Sequence, residues 1–500
     1  MTISENNYNN GSAGSEILFV SEQQRVGRVP GRIKFVNGLG ALPGQHKNFA
    51  FNTLLLLYYS QILGLSPSLA SMALAVSLIV DAISDPLLGA ISDNVRSRFG
   101  RRHIFMLVAI LPTSLSFYAL FAPPAGLDSS QLALWMITFT VLTRLSFTFF
   151  DVPWAAMSAE LAHQYEERTS VQTYRVAVGW YIGAAFSFTA YAVLFPPSEI
   201  DPTGLLDATR YAPFALIASL LIGSWMLMTT LGTLSQIPFL SQPSKSLPKV
   251  KLGRIVAQLV TALKNRNFRL IFFAFVLTSA IGGTGQVFDV YMNLYFWEFS
   301  TQDMKWFLVF STVGATAAFA TVGALQKRFE KQQIVVAAAV FGMAMGMLKV
   351  GFRFADIWPE NGDPLLLQLL VLHSTVLSYA GAIAIIMLAS MIPDIVDENE
   401  HKTGMRQEGA FLAGSTLATK STTGLGLFLG GLLLEWVVRL PVQIQPDSVD
   451  PDVLVRLGLV DGILVPAFSI IPIILLSRYR LGRNELETLQ TEIRQRKKRV

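Results

Sequence analysis

Cysteine is absent from all 500 residues, which excludes disulfides and thiolate metal sites and leaves the redox compartment undecided. Charge is scarce as well. Only 15% of residues are Asp, Glu, Lys or Arg, against 52% hydrophobic ones, and the mean hydropathy is +0.46. A soluble core would use less apolar surface, so the composition predicts a polytopic membrane protein. The first 46 residues hold no apolar run long enough for a signal-peptide core, so the N-terminus is expected to stay uncleaved in the cytoplasm. No segment outside the apolar runs is large enough to fold alone.

Apolar runs of about 18 or more residues fall near 47–63, 68–91, 104–122, 132–157, 170–195 and 210–237. A second set falls near 267–297, 303–325, 334–353, 365–392, 408–438 and 453–477. The chain therefore divides into a tail (1–46), a six-span bundle (47–237), a polar loop (238–266), a second six-span bundle (267–477) and a basic tail (478–500). Lys and Arg are missing from alternate loops, at 123–131, 196–209 and 354–364. They crowd the others: Arg96, Arg98, Arg101 and Arg102 after span two, six cations between Lys245 and Arg266, and Lys327, Arg328 and Lys331 after span eight. The positive-inside rule then places both termini in the cytoplasm of an inner or plasma membrane. The net charge of +5 reflects topology and not a nucleic-acid patch. Acidic-then-basic connectors follow spans four and ten, and this weak echo predicts parallel pseudo-symmetry. The fold class expected is all-α, twelve transmembrane helices in two six-helix bundles, the major facilitator architecture.

An ionised side chain near the bilayer centre is costly, so those present demand an explanation. Eight remain at depth: Asp81, Asp85, Arg144, Asp151, Arg175, Asp289, Lys349 and Lys420. Asp81 and Asp85 share a helix face, and Pro86 frees the carbonyl of Ala82. Two carboxylates beside a freed carbonyl are hard-oxygen ligands for a small cation. At about 1.5 Å per residue, Asp81 and Lys420 come to nearly the same depth from opposite ends. Arg144, Thr148 and Asp151 share one face of span four, and Thr416 lies on the face of Lys420. Gly282 to Gln286, GGTGQ, is a candidate unwinding point. The bland reading is ion pairing between helices without substrate contact, and it applies to Arg144–Asp151, Lys349, Asp289 and His373. Lys349 and Arg353 also lie near enough to the outer face to snorkel.

The stretch DAISDPLLGAISDNVRSRFGRRH resembles the second span and following loop of the glycoside–pentoside–hexuronide:cation symporters, whose pattern is D-x-x-x-D-P followed by R-x-G-[RK]. Here it is supplied by Asp81, Asp85, Pro86, Arg98, Gly100 and Arg101. The resemblance continues through DVPWAAMSAEL, ERTSVQTYR, DIVDENEHKTGMRQEG and the TxxxK at Thr416 and Lys420. It implies Asp81 and Asp85 as ligands of a metal or proton, Na+ or H+, with Thr416 and Lys420 adjoining. It also implies Asp151, Trp154 and Arg175 as substrate contacts, and no cofactor. One departure stands out. The family's sugar-binding acid in span one is missing, with Gln45 or Asn48 in its neighbourhood, while Arg144 is added. The cavity is thus expected to be more positive than a neutral-galactoside site and to take an anionic substrate such as a uronide, with Arg144 among its contacts.

The expected mechanism is cation-coupled symport by alternating access. The cation enters first and competes with Lys420, then the substrate enters. Arg96, Arg98, Arg101 and Arg102, pairing with Glu160 or Glu167, are expected to latch the two bundles on the cytoplasmic side. This architecture needs no second copy, so a monomer suffices. Two alternatives differ in kind. Some relatives in the family are similar to lysophospholipid symporters, so an amphiphilic solute is one. An intramembrane prenyltransferase also uses D-x-x-x-D to hold Mg2+, but it needs two acidic clusters near the cytoplasmic surface. Only one clear cluster is present.

Overall fold

The computed structural model describes residues 28–95, 97, 99–162, 164–240, 260–403 and 422–499. Among them no strand occurs, and twelve helical segments occupy the twelve expected positions. Helix α1 covers 31–62, α2 Pro67–Asn94, α3 His103–Phe121, α4 Ser129–Glu160, α5 Glu166–Leu194 and α6 Ala208–Gly232. The second set is α7 Arg266–Phe296, α8 Thr301–Arg328, α9 Lys331–Phe354, α10 Pro364–Thr403, α11 Thr422–Val438 and α12 Pro451–Ser477. A further helix, α13, spans Arg483–Arg499 in the basic tail. Ten of these are long and apolar enough to cross a membrane.

Sequence chemistry sets the starts. Ser66 caps α2 ahead of Pro67 at its first turn, while Asp128 with Gln131 and Ser300 with Asp303 close capping boxes on α4 and α8. Packing then repeats with an offset of six helices. The pairs α2–α4, α3–α4, α3–α6 and α1–α6 reappear as α8–α10, α9–α10, α9–α12 and α7–α12, which is the parallel pseudo-symmetry the connectors hinted at. Three helix pairs join the bundles, α5 with α8, α2 with α11 and α1 with α7; the same offset exchanges the first two and maps the third onto itself. A smaller echo lies at the ends bearing the basic loops. Arg102 at the start of α3 pairs with Glu160 of α4, and Lys331 at the start of α9 pairs with Asp394 of α10, each at 2.5 Å.

Three sequence expectations change. Among the described residues helical structure begins at Gly31 and not at 47, because 31–46 carries polar residues that are packed inside. Lys34, Asn37 and His46 are buried, and the His46 ring stacks 3.8 Å from that of Phe186. A hydropathy window registers lipid-facing helices and passes over one whose polar side faces the bundle. Second, Asp461 and Lys47 were missing from the inventory of charges at depth. Lys349 Nζ lies 3.0 Å from Asp461 Oδ2, and Arg353 donates to Pro359 O and Asn361 Oδ1, so neither cation simply snorkels.

Third, GGTGQ is not unwound, since Gly282 to Gln286 lie inside the α-helical part of α7. Its use is close approach. A Cβ on Gly283 would meet Thr423 O at 2.5 Å, and one on Gly426 would meet Ala280 O at 2.1 Å. Thr284 Oγ1 donates across the contact to Gly426 O at 3.0 Å. Backbone carbonyls cannot turn aside as side chains do, so Gly426→Val should force α7 and α11 apart and cost about 3 kcal/mol or more. The melting temperature in detergent checks this, and an unchanged value would contradict the packing.

Candidate functional site: a charged cavity in the first bundle

Helices α2 and α4 lie side by side with a constant register. Arg144 Nη1 donates to Asp81 Oδ2 at 2.7 Å and Thr148 Oγ1 to Asp85 Oδ1 at 3.2 Å, both pairs 63 residues apart. Two i,i+4 steps on parallel helices thus produce two rungs. The upper rung is deeply placed, with Asp81 and Arg144 each 6% exposed. Asp81 Oδ1 and Arg144 Nε have no hydrogen-bond partner among the described residues. The guanidinium also lies over the Phe51 ring, 5.0 Å from its centroid.

Nearly two helix turns beyond Thr148 on α4, Trp154 fixes the floor. Its indole N–H donates to Asn37 O at 2.9 Å. It fits against the interruption in α1, where a Cβ on Gly40 would come within 2.3 Å of Nε1. The guanidinium of Arg175 of α5 lies over this indole, 4.0 Å from the ring centroid, a cation–π contact worth about 2 kcal/mol when desolvated. Lys47 Nζ lies 4.3 Å from the Phe147 centroid.

These groups enclose a cavity of about 410 Å³ lined by Asp81, Arg144, Asp151, Trp154 and Arg175, together with Gln45, Lys47 and Asn48 of α1. Among the described residues that line it, three cations face two carboxylates, a surplus of one positive charge. Lys47 was not among the sequence candidates. It was the first residue of the expected span one, and a lysine at a span end reads as interfacial; only the earlier start of α1 carries it to depth.

The expected site residues fall as follows. Asp81, Arg144, Asp151, Trp154 and Arg175 share the cavity wall. Asp85 is held beside it through Thr148. Thr416 and Lys420 lie outside the described residues, as do Arg96 and Arg98. The residue that neutralises Asp81 here is Arg144, which same-helix spacing had matched with Asp151.

The expected latch is corrected. Arg101 and Arg102 both donate to Glu160 Oε1 at 2.5 Å, with Asp93 3.8 and 3.2 Å away. Glu167 pairs with Lys34 at 3.0 Å and accepts from the Val29 N–H. Among the described residues every partner belongs to the first bundle, so the bonds of Arg101, Arg102 and Glu167 brace α1 to α5 internally and do not join the bundles. Among the described residues, the hydrogen bonds that do cross lie mostly at the opposite end. Ser60 bonds the Tyr291 hydroxyl at 2.7 Å, Tyr295 donates to Gln61 Oε1 at 3.2 Å, and Thr301 Oγ1 donates to Phe195 O at 2.6 Å. A single bond, Tyr181 with Thr316 at 3.3 Å, sits at mid-length. The bundles are therefore closed at the end away from the basic loops.

Comparison with known proteins places this geometry. Residues 36–483 match the family described as MFS/sugar transport protein. The chain is 28% identical over 473 residues to an uncharacterized symporter of Synechocystis sp., covering 79% of this chain and 84% of that protein. It is 21% identical to the glucuronide carrier protein homolog of Escherichia coli, covering 90% and 93%. Among solved structures, the inward open conformation of the xylose transporter XylE from E. coli superposes with a TM-score of 0.56 at 14% identity, over 92% of this chain and 98% of that one. This last likeness concerns the fold.

Proposed function

The chain belongs to the MFS/sugar transport protein family, and on that premise we propose that it couples entry of a small cation, Na+ or H+, to transport of an anionic sugar such as a uronide or a glycosylated acid. The surplus positive charge carries the substrate half of this reading. Lys47, Arg144 and Arg175 face one cavity with Asp81 and Asp151, and an anion of sugar size balances it. Similarity to a glucuronide carrier homolog points the same way. The family is one of transporters, which removes the prenyltransferase alternative. An amphiphilic solute fits less well, because charged and amide groups supply much of the wall.

Asp151 and Arg175 are assigned to the substrate, with the Trp154 indole as a stacking platform for the apolar face of a sugar ring. Asp81 and Asp85 are assigned to the cation, with Thr416 and Lys420 adjoining. The basic loops face the cytoplasm, so both termini are inside and the described closure is toward the outside. Alternating access then consists of exchanging the bonds of Ser60, Gln61 and Thr301 for contacts at the inner end. One chain holds the whole cavity, so a monomer suffices.

Uptake by reconstituted protein tests this. A glucuronide should be accumulated under an inward Na+ or proton gradient, imposed separately, while the matching neutral glucoside is transported at least tenfold less well. Preference for the neutral sugar, or accumulation indifferent to both gradients, would refute the reading.

A further inference from the structure

Resting on that symport reading, we infer that Arg144 is a tethered counter-cation, which withholds Asp81 from the coupling ion until an anionic substrate draws the guanidinium away. Asp81 Oδ2 is occupied by Arg144 Nη1 at 2.7 Å, so a cation entering alone meets a carboxylate already neutralised. The arginine is not used up by this contact. It holds Asp81 through one nitrogen, its Nε has no hydrogen-bond partner, and it lines the same cavity as Lys47 and Arg175. A planar guanidinium with spare donors favours two-point binding of a carboxylate. The face of Phe51 at 5.0 Å gives it a surface to pivot on without entering lipid.

Charge then links the two ligands. Substrate carboxylate and coupling cation entering together leave the cavity charge unchanged, with Arg144 moved from Asp81 to the substrate and the ion in its place. The cation alone would strand a guanidinium in a buried setting. The anion alone would leave Asp81 bare. Each ligand therefore strengthens the other by the same factor. Arg144 is in this sense a positioning residue for coupling. Asp85, held by Thr148 at 3.2 Å, stays in place through the exchange.

Cation affinity without substrate is the readout. Purified carrier in nanodiscs is titrated with Na+ against choline at constant ionic strength, and separately with acid. Arg144→Gln is expected to bind one of the two ions at least tenfold more tightly than the unaltered protein, within the usual coupling range of about 5–150-fold. Arg144→Lys, which keeps the charge but not the planar fork, covers the case in which the neutral variant does not fold. It should fall between the other two. In both variants, the affinity for p-nitrophenyl glucuronide should lose most of its dependence on the cation. If the unaltered protein shows cation-dependent glucuronide binding but neither variant gains cation affinity, the inference fails alone. If the unaltered protein binds neither ion even with glucuronide present, the symport reading fails and takes the inference with it.

Discussion

Replacing Asp81 with asparagine is expected to lower stability by about 3 kcal/mol, the low end for breaking a buried ion pair, because the cavity gives Arg144 some access to water. Its guanidinium cannot shed its charge, and it loses its 2.7 Å carboxylate partner. Asp81→Asn combined with Arg144→Gln should recover most of the loss, since a neutral pair of the same shape carries no desolvation penalty. The single change Arg144→Gln should cost less than Asp81→Asn. A bare carboxylate takes up a proton or a cation; a bare guanidinium has no such escape. Chemical unfolding of the four proteins in detergent closes this cycle. Additive losses in the double variant would show that the two groups are not coupled.

Arg175 should dominate substrate affinity. It lines the cavity beside Asp151 and lies 4.0 Å over the Trp154 indole, so its charge is held in place before any ligand arrives. Removing one partner of a buried charged contact costs about 2–5 kcal/mol. Arg175→Gln is therefore expected to weaken glucuronide binding by at least about 30-fold, at 1.4 kcal/mol per tenfold. Arg175→Lys should be intermediate, because an ammonium keeps the charge but not the planar, multi-donor guanidinium. Trp154 stays anchored in both variants by its bond to Asn37 O, so the loss reads out charge and not a collapsed floor. Displacement of p-nitrophenyl glucuronide measures it. Equal affinities in all three proteins would remove Arg175 from the site.

The helices and their order were legible in the sequence because apolar runs report contact with lipid. The wall residues Asp81, Asp151 and Arg175 were legible because charge at depth is rare enough to be counted, and Trp154 through the resemblance of DVPWAAMSAEL to the symporter family. What escaped has a common cause. Periodicity along one helix tells which residues share a face, not which helix that face meets. Arg144 and Asp151 do share a face, yet the ion pair is made with Asp81, through a register between α2 and α4 that no single span contains. Lys47 escaped because the polar side of α1 lowers its hydropathy while burial conceals that side from lipid. Gly283 read as part of an unwinding point, since a glycine that admits a neighbouring backbone looks no different in sequence from one that ends a helix.

The contacts that brace each bundle at the basic-loop end differ in kind from most of those that join the bundles at the far end. Ion pairs hold the basic-loop end, with Arg101, Arg102 and Glu160 in one bundle and Lys331 and Asp394 in the other. Across the far end, hydroxyls, amides and backbone carbonyls do most of the joining: Ser60 with Tyr291, Gln61 with Tyr295, Thr301 with Phe195 O. Dissolved ions screen charges over about 10 Å at 0.1 M, but they leave neutral hydrogen bonds nearly untouched. In the orientation proposed above, with the basic loops in the cytoplasm, brine or fresh water outside the cell would meet much the same closed door, while the salt content of the cytoplasm would set how firmly each bundle holds its shape at the inner end.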